Sequence, residues 1–336
     1  MQYSASPCPS CLSPQEQERR FLRKRAGFAG LSMLLAVVLQ LFLSALITGL
    51  VQVTAQFFSE CFHISIQLDY YLFSNLLTLV VQPISLLLPG FVLICGSRLP
   101  LGQAVPLKKP KIGVTLPAIG VMMGISSVGL LIYQLLYRFT SLFGVRPVMA
   151  DMGAGSNNPF NVFLYFLTVA VLPSFLEEFL FRGALLQSFR VFGDGFAILL
   201  SALMFSLLHG NLIQAPNAFL MGLGLGFFAV ASHSLWVPIL IHFVNNASAV
   251  ILDLIYPLFP VWIQSMLSML LNLGYIIWAV LAVVWLMKKY PDLLKLTVPF
   301  SYMQTKEKLL NVLLHPAVVG FICVMVFFIV LNFGSI

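Results

Sequence analysis

GFAGLSMLLAVVLQLFLSALITGLVQVTAQF, residues 27–57, runs on without one Asp, Glu, Lys or Arg. A bilayer core about 30 Å thick takes roughly 20 apolar residues of helix, so a stretch this long predicts a membrane crossing. Working outward, the same test predicts further spans near 70–96, 112–137, 160–181, 196–209, 217–231, 236–256, 261–287 and 313–333. Composition agrees: 60% of the 336 residues are hydrophobic and only 9% are charged, against about 25% charged in soluble domains. The expected fold is an all-α, polytopic transmembrane helix bundle of eight to nine spans. A secreted enzyme, a nucleic-acid-binding domain and a disordered chain are excluded on the same ground, and the net charge of +7 is read through the membrane instead of through nucleic acid.

The chain divides into a polar tail over 1–26, N-terminal helices over 27–150, a catalytic core over 151–256 and C-terminal helices over 257–336. The tail carries Cys8-Pro9-Ser10-Cys11, half of a zinc ribbon whose second CxxC is absent from the chain. The apolar run that follows lacks a small-residue cleavage site after a short apolar region, so it reads as a retained first span. Placing Arg19, Arg20, Arg23, Lys24 and Arg25 in the cytoplasm lets nine alternating spans collect 16 of the 18 bases on that side, leaving Arg138 and Arg146 outside. A cytoplasmic N-terminus with compact loops suits a bacterial cell membrane. The basic stretch from Lys288 to Lys308 is placed to meet anionic lipid headgroups. Pro83, Pro89 and Pro173 are expected to kink their helices, and the pairs Gly120/Gly124 and Gly222/Gly226 have the spacing of close helix packing.

A charged side chain at mid-bilayer costs about 2.5–3.5 kcal/mol on insertion scales, so the few ionisable groups inside spans stand out. They are Glu177, Glu178 and Arg182 in the fourth span, His209 in the fifth, and His242 with Asn245 and Asn246 in the seventh. Glu178 and Arg182 are four residues apart, acid first, and face each other as a self-neutralising pair. Glu177 lies about 100° further round the helix and points toward a neighbouring helix, free to act as a general base or acid. His209 shares a face with Phe205, and His242 with Asn246. An acid, two imidazoles and an amide brought together suit water activation with oxyanion stabilisation.

Glu177-Glu178-Phe179-Leu180-Phe181-Arg182 matches an EExxxR motif, Phe205-Ser206-Leu207-Leu208-His209 an FxxxH motif, and His242-Phe243-Val244-Asn245-Asn246 an HxxxN motif. In that order on successive membrane helices, over roughly residues 155–255, the three resemble the CAAX protease and bacteriocin-processing family of intramembrane glutamic endopeptidases. The resemblance implies that Glu177 with His209 polarises a water for attack on a peptide carbonyl. His242 and Asn246 would then hold the oxyanion, with Arg182 and Glu178 steadying the glutamate helix and Phe205 shaping the pocket. It implies no metal cofactor, and as partner a membrane-tethered peptide or protein substrate in the lipid bilayer. Zinc on the same residues is the rival chemistry, disfavoured because no HExxH helix is present and Arg182 places a cation nearby. A membrane scaffold or transporter is the rival function. Counted from the cytoplasmic edge, Glu177 and His242 fall in the inner part of the membrane and His209 nearer the far side. For them to meet, the helix carrying Arg182 to Asp194 is expected to extend partly into or along the cytoplasmic interface, with the fifth span starting later than 196 and continuing past His209.

Overall fold

The computed structural model describes residues 12–63, 69–147 and 158–335 of the chain; Cys8 and Cys11 lie outside the described residues. Helix α1 covers Pro14–Phe62, opened by Ser13, whose hydroxyl accepts the Glu16 N–H at 3.2 Å, and by proline in the first turn. It therefore takes in residues 14–26, which the sequence places in a tail. At 1.5 Å per residue its 49 residues reach about 74 Å, more than twice the hydrocarbon thickness. Helix α2, Tyr70–Gly96, is capped by Asp69 and carries Pro83 and Pro89 as one unbroken helix. Helix α3 is Ile112–Ser141, and α4 is a composite helix over Pro159–Phe192. Then come α5 (Asp194–Leu208), α6 (Ala215–Ser232), α7 (Trp236–Ile255), α8 (Val261–Lys289), α9 (Thr305–Leu313) and α10 (Pro316–Leu331).

Seven of these are long and apolar enough to cross a membrane, eight when α9 and α10, bent by 73°, count as one; α5 is a shorter apolar helix. The all-α polytopic bundle expected from the sequence is what the chain forms. Among the described residues the one strand pair joins β1, Val145–Pro147, to β2, Phe333–Ser335, antiparallel.

Polar contacts define the two ends of the bundle. At one end Arg19 pairs with Glu307 at 2.7 Å, Glu18 accepts from the Ser301 hydroxyl and the Tyr302 N–H, and Lys308 Nζ donates to the Phe192 carbonyl at 2.7 Å. Asp194 accepts from Arg190 and from the Thr297 N–H. At the other end Asn161 donates to Asp69 at 3.3 Å, and β1 meets β2. Between them the core is densest where α4 and α5 pack on α1 and α10, with Leu180, Phe181, Leu185, Phe189 and Phe321 almost wholly buried.

The α4–α5 hairpin sets the depth of the site. It turns at Gly193, whose φ of 121° is open only to glycine. Glu177 and His209 each lie 16 residues from that turn, about 24 Å along their helices at 1.5 Å per residue, and so at one level. This corrects the expectation that the fifth span starts later than 196 and continues past His209. Helix α4 continues to Phe192 instead of ending near 181, and α5 stops at Leu208 with His209 as its cap.

Close approach of α5 and α6 requires Gly222, where a Cβ would lie 2.9 Å from Ala202 Cα and 3.4 Å from the Phe205 ring. Gly120 and Gly124 likewise face α8, at Trp278 and Ala279. Gly222→Leu is expected to destabilise the folded protein by about 1–3 kcal/mol through overpacking. Thermal unfolding in detergent checks this, and an unchanged midpoint would mean the helices are further apart.

Candidate functional site

Helix α4 leaves regular α-geometry twice, at π turns over Leu167–Val171 and Phe179–Leu185 that bracket Glu177 and Glu178. Pro173, which has no N–H to give, stands just after the first of them. A π turn carries one more residue than an α turn and loosens the backbone ladder, a distortion common at functional sites. A carbonyl in each π turn also binds a neighbouring helix. Val169 O accepts from Asn246 Nδ2 of α7 at 3.1 Å, and Phe181 O accepts from the Ser201 hydroxyl of α5 at 2.9 Å. The two helices that carry His242 and His209 are thus fastened to α4 on either side of the acid pair.

Glu178 and Arg182 meet at 2.8 Å with both side chains fully buried. Arg182 is therefore a core residue, and drops out of the 16 bases assigned to loops. Its second nitrogen donates to the Gly222 carbonyl at 3.3 Å, and its guanidinium lies 4.4 Å from the centre of the Phe205 ring, a cation–π contact. The pair does not close on itself as the sequence suggests, because Glu178 Oε1 also lies 2.8 Å from His242 Nδ1. A carboxylate facing arginine only accepts, so Nδ1 of His242 carries the proton and donates.

That bond turns the other ring nitrogen outward. His242 Nε2 is 3.9 Å from Glu177 Oε2, too long for a direct hydrogen bond and suited to a bridging water. The Glu177 side chain is 17% exposed where Glu178 is 0%, so the two adjacent acids divide into a reachable one and a buried one. His209 Nδ1 is 2.8 Å from the Phe205 carbonyl, which only accepts, so its Nε2 is likewise the free nitrogen. The Phe205 ring stands edge-on to both imidazoles, with centroids 4.9 Å from His209 and 6.0 Å from His242. Asn246 gives one amide hydrogen to Val169 O and accepts from Asn245 at 3.1 Å, which leaves its second amide hydrogen uncommitted.

Contacts thus link Glu177, Glu178, Arg182, Phe205, His209 and His242 into one cluster, with Asn246 one turn along α7. The sequence did not reveal the Glu178–His242 bond, which joins residues 64 apart; the repeated four-residue spacings showed faces, not which faces meet. Asp253 stands apart, exposed and bonded to Tyr165 at 2.7 Å. Among the described residues no three His, Cys, Asp or Glu side chains converge as metal ligands would.

A helix bundle built to cross a membrane, with a buried acid–imidazole cluster in its middle, defines an integral membrane protein with the makings of a hydrolytic site. Residues 159–248, about a quarter of the chain and the part that holds the cluster, match the family model described as type II CAAX prenyl endopeptidase Rce1-like. The match bears out the resemblance read from the three motifs and supports a CAAX-type membrane protease in general. No curated protein and no solved structure matches the chain.

Breaking the buried pair by Arg182→Met is expected to cost about 3–5 kcal/mol, because it leaves the buried Glu178 carboxylate without its cation and with His242 as its one remaining hydrogen-bond donor. Denaturant titration in detergent should show part of that loss recovered in the Arg182→Met, Glu178→Gln double variant. Wild-type stability for Arg182→Met alone would contradict the pairing.

Proposed function

We propose that the protein is an intramembrane endopeptidase that hydrolyses a peptide bond of a membrane-tethered peptide or protein with a water activated by Glu177 and His209. The observation that carries this reading is that Glu177 Oε2 lies 3.9 Å from His242 Nε2 while the Phe205 ring stands edge-on to both His242 and His209, which gathers the acid and the two imidazoles around one ring. The water oxygen adds to the carbonyl carbon and its proton passes to the Glu177 carboxylate, with His209 Nε2 as the second acceptor. Asn246 and His242 donate to the oxyanion. The tetrahedral intermediate then collapses, the C–N bond breaks and the proton held by Glu177 goes to the leaving amine.

For His242 to donate from Nε2 it must carry protons on both nitrogens, and the Glu178 carboxylate stands opposite the charge this creates. A second role is favoured by the same 3.9 Å contact, in which neutral His242 takes the water proton together with Glu177. His242→Gln separates the two: an amide can donate to an oxyanion but takes up no proton, so partial activity marks the first role and its complete loss the second.

Access is favoured from the base-rich end. Gly183 lies against the Ala104 carbonyl and Leu235, so the loops around 104 and 235 rise to within five residues of Glu178, or about 8 Å. Arg98, Lys108, Lys109 and Lys111 flank the first of those loops. With this end cytoplasmic, the substrate is cut near the cytoplasmic face of what we read as a bacterial cell membrane. The chemistry is metal-free in this reading, since the second acid, Glu178, is already committed to Arg182 and His242.

Purified protein should cleave a membrane-anchored reporter peptide, and Glu177→Ala should abolish cleavage while the variant still folds. Asn246→Ala should slow it by about 10²–10³, the usual loss for one oxyanion donor. Activity that survives Glu177→Ala points to a scaffold, and activity lost to a chelator and restored by zinc points to the metal chemistry.

A further inference from the structure

Gly222 and Gly224 of α6 face opposite ways. A side chain at Gly222 would meet Ala202 and Phe205 beside Arg182, whereas one at Gly224 would meet Met122 of α3. On this second face, turned away from Glu177, helices α3, α6 and α8 enclose a groove of about 790 Å³. Its walls are apolar, among them Ile125, Phe227 and Ile276, and Tyr290 and Leu293 line the end near the C-terminus of α8. Val280, Val283 and Val284 line the groove and are also exposed on the outside of the bundle, so it opens sideways toward hydrocarbon. Water has no polar partners there and the groove would be filled by apolar chain.

The same end is basic. Lys288 and Lys289 line a hollow with Leu281 and Trp285 that shares Val284 with the groove, and Lys289 Nζ lies 4.7 Å from the Trp285 ring. Across the mouth, Gly113 in the first turn of α3 lies against the Tyr290 hydroxyl, two residues from Lys111. Among the described residues none of Lys111, Lys288 and Lys289 forms an ion pair. The nearby Asp292 is taken by Lys295 at 2.7 Å. Tryptophan, tyrosine and lysine at a helix end are the residues expected at headgroup level.

We propose that this groove binds one anionic phospholipid, with an acyl chain between α3, α6 and α8 and the phosphate against Lys111, Lys288 and Lys289. The charge complementarity selects the occupant. A choline headgroup would bring its own cation beside three unneutralised lysines. A second copy of the chain would need free acids at its matching edge, and Glu16, Glu18, Glu307, Asp194 and Asp292 at this end are all engaged already. The groove and the Glu177 cluster lie on different faces of α6, so the inference stands apart from the proposed proteolysis.

Native mass spectrometry of the full-length protein, stripped of lipid in detergent, tests it with dioleoyl phosphatidylglycerol against dioleoyl phosphatidylcholine. Phosphatidylglycerol should bind about tenfold tighter or more. That preference should vanish in a Lys111→Gln, Lys288→Gln, Lys289→Gln variant and persist in the corresponding arginine variant. Val283→Trp, which fills the groove, should weaken both lipids. Thermal unfolding in detergent identifies any variant that fails to fold, in which case the two-lipid comparison on the wild type decides alone. Equal binding of the two lipids, an unaffected triple glutamine variant, or disulfide dimers formed across the groove by Val280→Cys would overturn the proposal.

Discussion

Oε1 of Glu178 is shared by two donors, Arg182 one helical turn along α4 and His242 on α7, each at 2.8 Å. A buried arginine and a buried carboxylate are each costly to remove from water, and their attraction offsets this only where geometry and further hydrogen bonds are good. The further bonds are present: Arg182 also donates to Gly222 O and lies over the Phe205 ring. One charged pair therefore touches α4, α5, α6 and α7, the helices of the family match. The orientation of His242, and with it the gap to Glu177, follows from its bond to the same oxygen of Glu178 that holds Arg182.

The backbone is shaped around that pair. Pro173 has no N–H to give to Val169 O, the carbonyl one turn before it, and that carbonyl accepts from Asn246 instead. In the second π turn Phe181 O accepts both the Leu186 N–H and the Ser201 hydroxyl. Gly193 then reverses the chain so that His209 returns to the level of Glu177. Thr168 continues the polar file, donating to Asn75 of α2 at 3.0 Å. Burial follows the same division: the α4 window is 44% buried and that of α8 only 6%, so the centre is packed by protein and the periphery is left to lipid.

Much of this was legible in the sequence because hydrophobic length and charge scarcity are strong signals in a membrane protein. The run 27–57 and its successors located the helices, and the rarity of intramembrane charge singled out Glu177, Glu178, Arg182, His209 and His242. The π turns were not legible, since LTVAV and FLFRGAL have no local composition that distinguishes them from α-helix. What truncated α4 at 181 was the charge of Arg182, counted among the loop bases although it is buried against Glu178, and this created an apparent mismatch in depth between Glu177 and His209. The Glu178–His242 bond was hidden for a related reason: the i, i+4 pairing with Arg182 offers a complete local explanation of the acid, and tertiary contact adds a partner that local spacing cannot announce. The length of α1 below residue 27 went unread because Arg19, Arg20, Arg23, Lys24 and Arg25 look like a solvated tail, although charged side chains are good helix formers and Ser13 caps them.

The central claim is that Glu178 holds His242 with its proton on Nδ1 and Nε2 turned to Glu177. Nitrogen-15 NMR of histidine-labelled protein in detergent reads this directly. Nδ1 of His242 should carry the proton in the wild type, and that preference should be lost in Glu178→Gln. A wild-type His242 protonated on Nε2 alone, or one whose tautomer is unmoved by Glu178→Gln, would contradict the account.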